Sequence, residues 1–385
     1  MFLKMPFILL SLIISIILFK SYIPIEVKSM LYAISLTIKS IIIFFLPIII
    51  FGLLFKTAAQ FASNATKIIL MLLIAVCCSN FISTMVSQYV GKLVYNFNLH
   101  LASLPETIDL LPMWQINLPK LIANNVAMFL GLSLGVITSL FKPTLVNKIA
   151  TKLDKVVNFL LSGLNILIPF FVVGFIVKLE HDGVIDTIIN DYAKIFVIIA
   201  IAQFGYISLI YLIANGFNFK AAISNIKNML PAAITGFSTM SSAAAMPLTI
   251  IGTEKNSGSS LARSIIPATV NIHLIGDCFA IPIFAFAILK NYGLAEPSYL
   301  KYMIFAAYFV LAKFSVAAIP GGGIIVMLPI LESYLGFNAS MMSLITALYI
   351  LFDPVITCAN VLGNGGFSQI ITKFNSLFSK KKIEA

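Results

Sequence analysis

The stretch Gly236–Ile250, GFSTMSSAAAMPLTI, interrupts a region that is otherwise rich in large apolar residues. Small residues fill positions 238–245 apart from Met240, and the patch closes on Met246 and Pro247. Apolar runs of helical length lie on both sides of it. A helix surrounded by apolar material would normally carry Leu, Ile and Phe through its middle. The fold prediction therefore depends on whether this patch is a packing surface or a break in a helix.

The composition excludes an ordinary soluble fold. Of the 385 residues, 60% are hydrophobic and only 10% are charged, which is too few to cover a soluble protein of this size. Apolar runs long enough to span a bilayer lie roughly at 5–23, 37–58, 68–90, 122–141, 157–178 and 193–214. We therefore predict an all-α polytopic membrane protein. Because Lys20-Ser-Tyr-Ile-Pro follows the first run where a cleavage site would be expected, a retained helix is favoured over a signal peptide.

The charge distribution predicts a topology. The formal net charge of +11 would suggest nucleic acid for a soluble protein, but there is no basic face and no nucleic-acid motif, so no such partner is expected. The lysines expected in loops after the second, fourth and sixth helices are Lys56, Lys67, Lys142, Lys148, Lys152, Lys155, Lys220 and Lys227. Acidic residues at 180–191 fall on the opposite side. The positive-inside rule then predicts cytoplasmic termini for a multi-pass protein of the cell (inner) membrane.

The sequence gives no sign of enzymatic or metal chemistry. The four cysteines lie in apolar runs without a C-x-x-C pair or a neighbouring histidine, so neither a disulfide framework nor a metal site is expected. His100, His181 and His273 are scattered and form no H-E-x-x-H motif. We therefore predict that the protein is not an enzyme and needs no cofactor.

After residue 220 the chain contains two units of similar layout. Each unit has a tip of tiny residues with a proline, followed by an apolar helix that carries an Asn and soon afterwards a Gly. The tips are Ser241–Pro247 and Ile319–Gly323, and the Asn and Gly pairs are Asn271 with Gly276 and Asn360 with Gly363. Short segments interrupted by Gly and Pro at matching positions of two repeats are typical of transporter binding sites.

The physics of such tips favours a binding cavity. Non-helical backbone at membrane depth survives only inside protein or beside water. Helix N-termini at a tip offer free N–H groups and positive dipole ends that suit a carboxylate. Small residues also line ordinary helix interfaces, but two tips, each followed by an Asn-bearing helix, favour the binding site. The charges flanking the two tips place their ends on opposite faces, as in an inverted pair of re-entrant hairpins.

Five motifs resemble, in order along nearly the whole chain, those of the dicarboxylate/amino acid:cation symporter family, the glutamate transporter family. They are FFLPIIIFGLLFKTA, STMSSAAAMPLT, IPATVN, IPGGG and DPVITCANVLGNG. The resemblance implies a homotrimer whose protomers have eight transmembrane helices plus two re-entrant helical hairpins with inverted repeats. It further implies an elevator-type transporter with a scaffold at roughly 1–66 and 120–178 and a transport part at roughly 67–95 and 193–364. A basic cytoplasmic tail at 365–385 would follow.

The resemblance also implies a site, residue by residue. Asp353 matches the acidic residue that pairs with a substrate amino group. The other substrate-binding matches are Ser241, Ser242, the backbone of Ile319, Gly321 and Gly322, Thr357 and Asn360. Candidates for cation coupling are Asn271, Thr269, Asn360, Asn364, His273, Asp277 and Lys313.

Departures from the family pattern leave the substrate open. Ile356 stands where the family's eighth helix carries an Arg that grips a side-chain carboxylate, and Met240 replaces an Arg found at some first tips. A small or neutral amino acid is then a candidate beside a dicarboxylate. Asn364 is closer to the C4-dicarboxylate branch, whereas Asp353 favours a substrate with an amino group.

The cation sites depart from the pattern as well. His273 stands where the family has a carboxylate ligand, and Asp277 is a displaced substitute for that carboxylate. Lys313 lies near the position at which the family usually has a small hydroxyl residue. On its third helix the family has polar cation ligands, and the residues at those positions here are Ala75, Val76 or the nearby Cys77–Ser79. Because Na⁺ prefers oxygen ligands, whereas an ammonium can fill such a space and a histidine can titrate near neutrality, both Na⁺ and H⁺ stay candidate coupling ions. Lys313 also has structural interpretations, as a snorkelling side chain or a bridge to Asp277, and His273 has one as a core histidine.

The sequence therefore predicts a secondary active symporter that moves a small amino acid or dicarboxylate. A C4-dicarboxylate carrier, and a carrier that has lost coupling or behaves as an anion channel, are the alternatives.

Overall fold

A computed structural model gives the fold. It describes residues 11–12, 15–16, 18–19, 22–63, 67–96, 110–119, 121–141, 143–181, 192–259, 261–316 and 321–381. Within these ranges the regular structure is entirely helical. The helices are α1 Ile25–Ser63, α2 Lys67–Tyr95, α3 Asn124–Phe141, α4 Pro143–His181, α5 Ala193–Ala214, α6 Phe219–Thr239, α7 Ser242–Ser257, α8 Ala262–Thr269, α9 Ile275–Asn291, α10 Tyr299–Lys313, α11 Gly322–Ile330 and α12 Ala339–Lys381. A π-helical turn, Leu331–Leu335, extends α11.

Five of the described helices, α1, α2, α4, α5 and α12, are long and apolar enough to cross a membrane. Shorter apolar helices occur at Val126–Leu140 in α3 and at Gly322–Leu335 in α11. The protein is thus a helical membrane protein, as its composition predicts.

Lysines that were predicted to lie in three loops prove to lie on helices. Helix α4 begins at Pro143, so Lys148, Lys152 and Lys155 lie on its first turns. Lys56 is likewise within α1, where its Nζ lies 2.7 Å from Asp154 Oδ1 on α4. These charged ends pair with each other, and the helices therefore continue well past their apolar spans. Lys220 and Lys227 lie on α6, and Lys142 is outside the described residues.

Helices α1, α3 and α4 form one packing group. Glycines allow the backbones to approach closely, since a Cβ atom added at Gly135 would lie 2.7 Å from the Phe55 carbonyl oxygen. One added at Gly174 would lie 2.2 Å from the Leu31 carbonyl oxygen. The three helices are fixed to one another by contacts that leave no room for larger side chains.

The remaining helices, α2 and α5–α12, form a second group around α9. Every residue of α9 from 275 to 289 is buried, and α9 packs on α2, α5 and α12. A helix that is apolar on all sides belongs in the centre of such a bundle. The two groups meet chiefly where α12 contacts α4 and α11 contacts α1. A cavity lies beside that second contact, between Phe171 of α4 and Ile324 of α11.

Each predicted tip lies at the start of a helix: Ser241 precedes α7, whose first turns contain positions 242–247, and Gly321 precedes α11. At the first, Met240 has a left-handed backbone (φ 49°) and the Ser241 side chain caps α7 by accepting from the Ala244 N–H at 3.3 Å. At the second, Gly321 has a φ of 72° and precedes α11. A positive φ costs glycine little, which explains its place at this tip. Ile319 lies outside the described residues.

The helices after the tips differ from each other. The first is broken, because residues 270–274 separate α8 from α9. The second, α12, continues to Lys381 with Pro354 inside it. Residues 365–369, predicted to begin a tail, are therefore helical and buried. They are held in the bundle by contacts such as that of Gly365, where an added Cβ would lie 2.6 Å from Tyr211 Oη.

Candidate substrate and cation site

The two tips, the broken segment 270–274 and α12 meet at one cavity. Six of the predicted site residues line it: Ser242, Asn271, Asp277, Asp353, Thr357 and Asn360. Met240, Leu274, Val316, Gly323 and Tyr349 complete the lining. Side chains predicted from three separate stretches of sequence are thus brought to one place.

Asp353 ties the second tip to α12. Its Oδ2 accepts from the Gly321 N–H at 2.9 Å, and its Oδ1 accepts from Thr357 Oγ1 at 3.0 Å. The carboxylate is buried, and both of these donors are neutral. No basic side chain within the described ranges forms an ion pair with it. A buried carboxylate in this position favours a ligand that brings a positive group.

Asp277 joins three elements of the cavity wall. Its Oδ1 accepts from Tyr349 Oη at 2.7 Å, and its Oδ2 accepts from Asn360 Nδ2 at 2.8 Å. Lys313 Nζ lies 3.6 Å from the same Oδ1. Asn360 Oδ1 in turn accepts from the Gly276 N–H at 2.8 Å. Lys313 and Asp277, between which the sequence suggested a bridge, thus lie at ion-pair distance without a hydrogen bond.

His273 is packed away from the cavity lining. Its ring is fully buried and stacks on Phe367, with 4.1 Å between ring centroids. Its Nε2 lies 2.9 Å from Ser79 Oγ, in the Cys77–Ser79 segment of α2 that was named as a candidate for the polar ligands. Asn364 Nδ2 donates to the His273 carbonyl at 3.0 Å and to the Asn360 carbonyl at 3.1 Å. The imidazole thus takes the place between α2 and α12 where the resemblance implies a carboxylate.

The other predicted residues serve local structure. Thr269 is buried, and its hydroxyl donates back to the Ile265 carbonyl at 3.0 Å. Ser241 is the cap of α7, and Gly322 opens α11. Ile356 is fully buried, and its carbonyl oxygen would lie 2.3 Å from a Cβ added at Gly276.

Sequence reasoning missed Asn80, which supports the broken segment. Its Nδ2 donates to the Ile272 carbonyl at 2.7 Å, and its Oδ1 accepts from the Leu274 N–H at 3.3 Å. Its place directly after Cys77–Ser79, already a candidate ligand segment, was the one available signal. Tyr349 was missed as well, because a tyrosine within an apolar run carries no distinctive pattern.

Replacing Asn80 by Ala is expected to lower the stability of the folded protein by about 1–3 kcal/mol. The change leaves a buried carbonyl and a buried N–H of the broken segment without partners. The thermal midpoint of the detergent-purified variant measures the loss. Ser208→Ala is the matched control, because that exposed hydroxyl bonds only the Phe204 carbonyl of its own helix. Equal midpoints for the two variants would contradict the supporting role of Asn80.

The sequence matches a known protein family along nearly its whole length. The model of the sodium:dicarboxylate symporter family matches residues 3–374. An excitatory amino acid transporter of Onchocerca volvulus is 28% identical over 152 residues, which is 39% of this chain and 30% of that protein. Human excitatory amino acid transporter 3 is 26% identical over 245 residues, covering 62% of this chain and 44% of the relative. Mouse excitatory amino acid transporter 1 is 28% identical over 202 residues, covering 51% and 36%. Each match thus spans less than half of the relative's length.

Proposed function

Because the chain belongs to the sodium:dicarboxylate symporter family, whose members are transporters and not enzymes, we propose that it moves a small carboxylate-bearing solute, an amino acid or a dicarboxylate, by secondary active transport. The observation that carries this proposal is Asp353, a buried carboxylate in a cavity between two helix N-termini. An amino acid has an ammonium group for Asp353 and a carboxylate for the helix ends.

The binding mode follows from the helix ends around the cavity. Ser242 at the start of α7 and Gly323 at the start of α11 both line the cavity. Unpaired N–H groups and the positive ends of helix dipoles stabilise an anion at such positions. The Gly321 N–H donates to Asp353, and an incoming ammonium group would bind the same carboxylate. Substrate binding in the cavity is therefore linked to the position of the second tip.

A C4-dicarboxylate carrier is the alternative within this class. It is supported by Asn364, which is closer to the pattern of that branch. Against it, the cavity lining contains Asp353 and Asp277 and no basic residue to hold a second carboxylate. These contacts favour an amino acid.

We propose Na⁺ or H⁺ as the coupling ion. The family's name favours sodium. His273 and Asn364 stand at positions where members of the family have carboxylates, so fewer carboxylate oxygens are available to bind Na⁺. His273, which lies beside Ser79, is the candidate proton carrier. The same substitutions support the second alternative, a carrier that has lost coupling or conducts anions.

The proposed architecture follows the family: a homotrimer in the cell membrane, with eight membrane helices, two hairpins and an elevator motion. The division of the helices into two packing groups supports it, since α1, α3 and α4 match the expected scaffold at 1–66 and 120–178. The other group matches the expected transport part at 67–95 and 193–364, with α12 reaching into the expected tail at 365–385. Among the described residues, the contacts within each group far outnumber those between the groups. Cytoplasmic termini remain part of this proposal.

Uptake into proteoliposomes tests the function. We expect alanine or serine to accumulate above equilibrium under an inward gradient of Na⁺ or of H⁺, but not in protein-free liposomes. Competition by succinate without competition by alanine or serine would identify a dicarboxylate carrier and overturn the amino acid proposal. Purely downhill flux under every imposed gradient would exclude symport.

A further inference from the structure

Lys313 is a cation buried at the centre of the second packing group. It is the last residue of α10, has no solvent exposure, and stands beside the second tip. Its Nζ lies 3.6 Å from Asp277 Oδ1 and 4.4 Å from the centroid of the Phe309 ring. Within the described part of the chain the ammonium has no hydrogen-bond acceptor. A lysine held in this way needs a reason, because an uncompensated charge inside a membrane protein is costly.

The geometry differs from that of a simple structural bridge. Charge-assisted hydrogen bonds between nitrogen and a carboxylate usually measure about 2.7–2.9 Å. Here the two oxygens of Asp277 are instead taken by Tyr349 and Asn360. Lys313 therefore compensates the charge of Asp277 without serving as its hydrogen-bond donor. This is the electrostatic role that a bound monovalent cation would have beside the same carboxylate.

We propose that Lys313 is a built-in counter-cation, whose ammonium neutralises Asp277 in place of a dissolved alkali ion. Asp277 positions Asn360 and Tyr349, both of which line the cavity, so the cavity wall is assembled at this carboxylate without an ion from solution. Lys313 is a positioning residue that acts through Asp277. The inference rests on the proposed function for its significance, since any coupling ion must then bind elsewhere in the site.

A chain without the Lys313 side chain should bind a dissolved cation beside Asp277. Lys313→Ala removes Cγ, Cδ, Cε and Nζ, which are the heavy atoms of n-propylamine. It leaves the Asp277 charge uncompensated beside an empty space. Ser315, two residues further on, is buried, and its hydroxyl has no hydrogen-bond partner among the described residues, so it is available as an additional oxygen ligand. The variant is expected to need a dissolved cation where the natural chain needs none.

The experiment measures thermal midpoints of the purified full chain in NaCl, KCl, n-propylammonium chloride and choline chloride at equal ionic strength. We expect Lys313→Ala to be less stable than the natural chain in choline and to regain stability in at least one of the other three salts. At a cation concentration about 100 times the dissociation constant, the ratio of folded to unfolded protein rises about 100-fold. The added response should vanish in Lys313→Ala/Asp277→Asn. Lys301→Ala, on an exposed position of the same helix, should respond as the natural chain does.

A loss of stability in Lys313→Ala that is equal in all four salts would show a structural bridge only and overturn the proposal. If that variant does not fold in any salt, two others decide. The proposal requires the double variant to fold without an added salt response and Lys313→Gln to be rescued by a cation, and failure of either contradicts it. The readout needs no substrate. A natural chain without uptake activity would therefore overturn the proposed function while leaving this test intact.

Discussion

Replacing Asp353 by Asn is expected to abolish concentrative uptake of amino acids. The change removes the buried negative charge that would pair with a substrate ammonium group, while its amide still accepts from the Gly321 N–H. Loss of one partner of a buried, hydrogen-bonded charge pair costs about 2–5 kcal/mol, so substrate affinity should fall at least about 30-fold. Binding to detergent-purified protein and uptake into proteoliposomes both measure the effect.

Asp154→Asn is the matched control for this prediction. Asp154 pairs with Lys56 inside the first packing group and does not line the cavity, and its side chain is 29% exposed. The pair is partly solvated, so its loss should change stability little and leave affinity unchanged. Full amino acid affinity in Asp353→Asn would refute the proposed ammonium contact. Undiminished succinate uptake by the same variant would favour the dicarboxylate alternative.

Replacing Gly323 by Ala is expected to stop transport by forcing the second tip away from α12. An added Cβ would lie 2.3 Å from Asp277 Oδ1 and 2.4 Å from Tyr349 Oη. These two atoms hydrogen-bond each other at 2.7 Å, so neither can move aside alone. Overpacking of this kind costs about 1–3 kcal/mol, and here it falls on the wall of the cavity. Initial uptake rates and thermal midpoints of the variant measure both effects.

Gly205→Ala serves as the comparison. Gly205 lies within α5, and a Cβ added there would meet no atom within 4 Å. Alanine is the better helix former by roughly 1 kcal/mol, so this control should be as stable as the natural chain or more stable. If Gly323→Ala transported as fast as Gly205→Ala, close contact between the second tip and Asp277 would not be needed for function.

Much of the fold could be predicted from the sequence. The membrane class follows from composition, and the two tips follow from small residues and prolines at matching positions. Helix ends were predicted less well, because apolar runs report the part of a helix that lies in lipid. Helices α1, α4 and α12 continue beyond it through paired charges and buried glycines, as in the contact of Lys56 with Asp154.

The cavity was predictable in its members but not in their contacts. Ser242, Asp353 and Asn360 were identified because each lies within a local sequence motif. Contacts between distant segments were not predicted, such as those of Asn80 with Ile272 and of Tyr349 with Asp277. Which residues meet across helices depends on the rotation and depth of each helix, and no local pattern encodes these.

The sequence by itself determined that this chain is a helical membrane protein with two interrupted, Asn-bearing units and unusual charged residues at membrane depth. Only the tertiary structure decided what those residues do. It stacks His273 on Phe367 and sets Lys313 against Asp277, while Asp353 lies apart in the cavity with neutral donors. The physical reason is that burial makes each charge depend on the groups within a few ångströms, and the packing of separate helices chooses those groups.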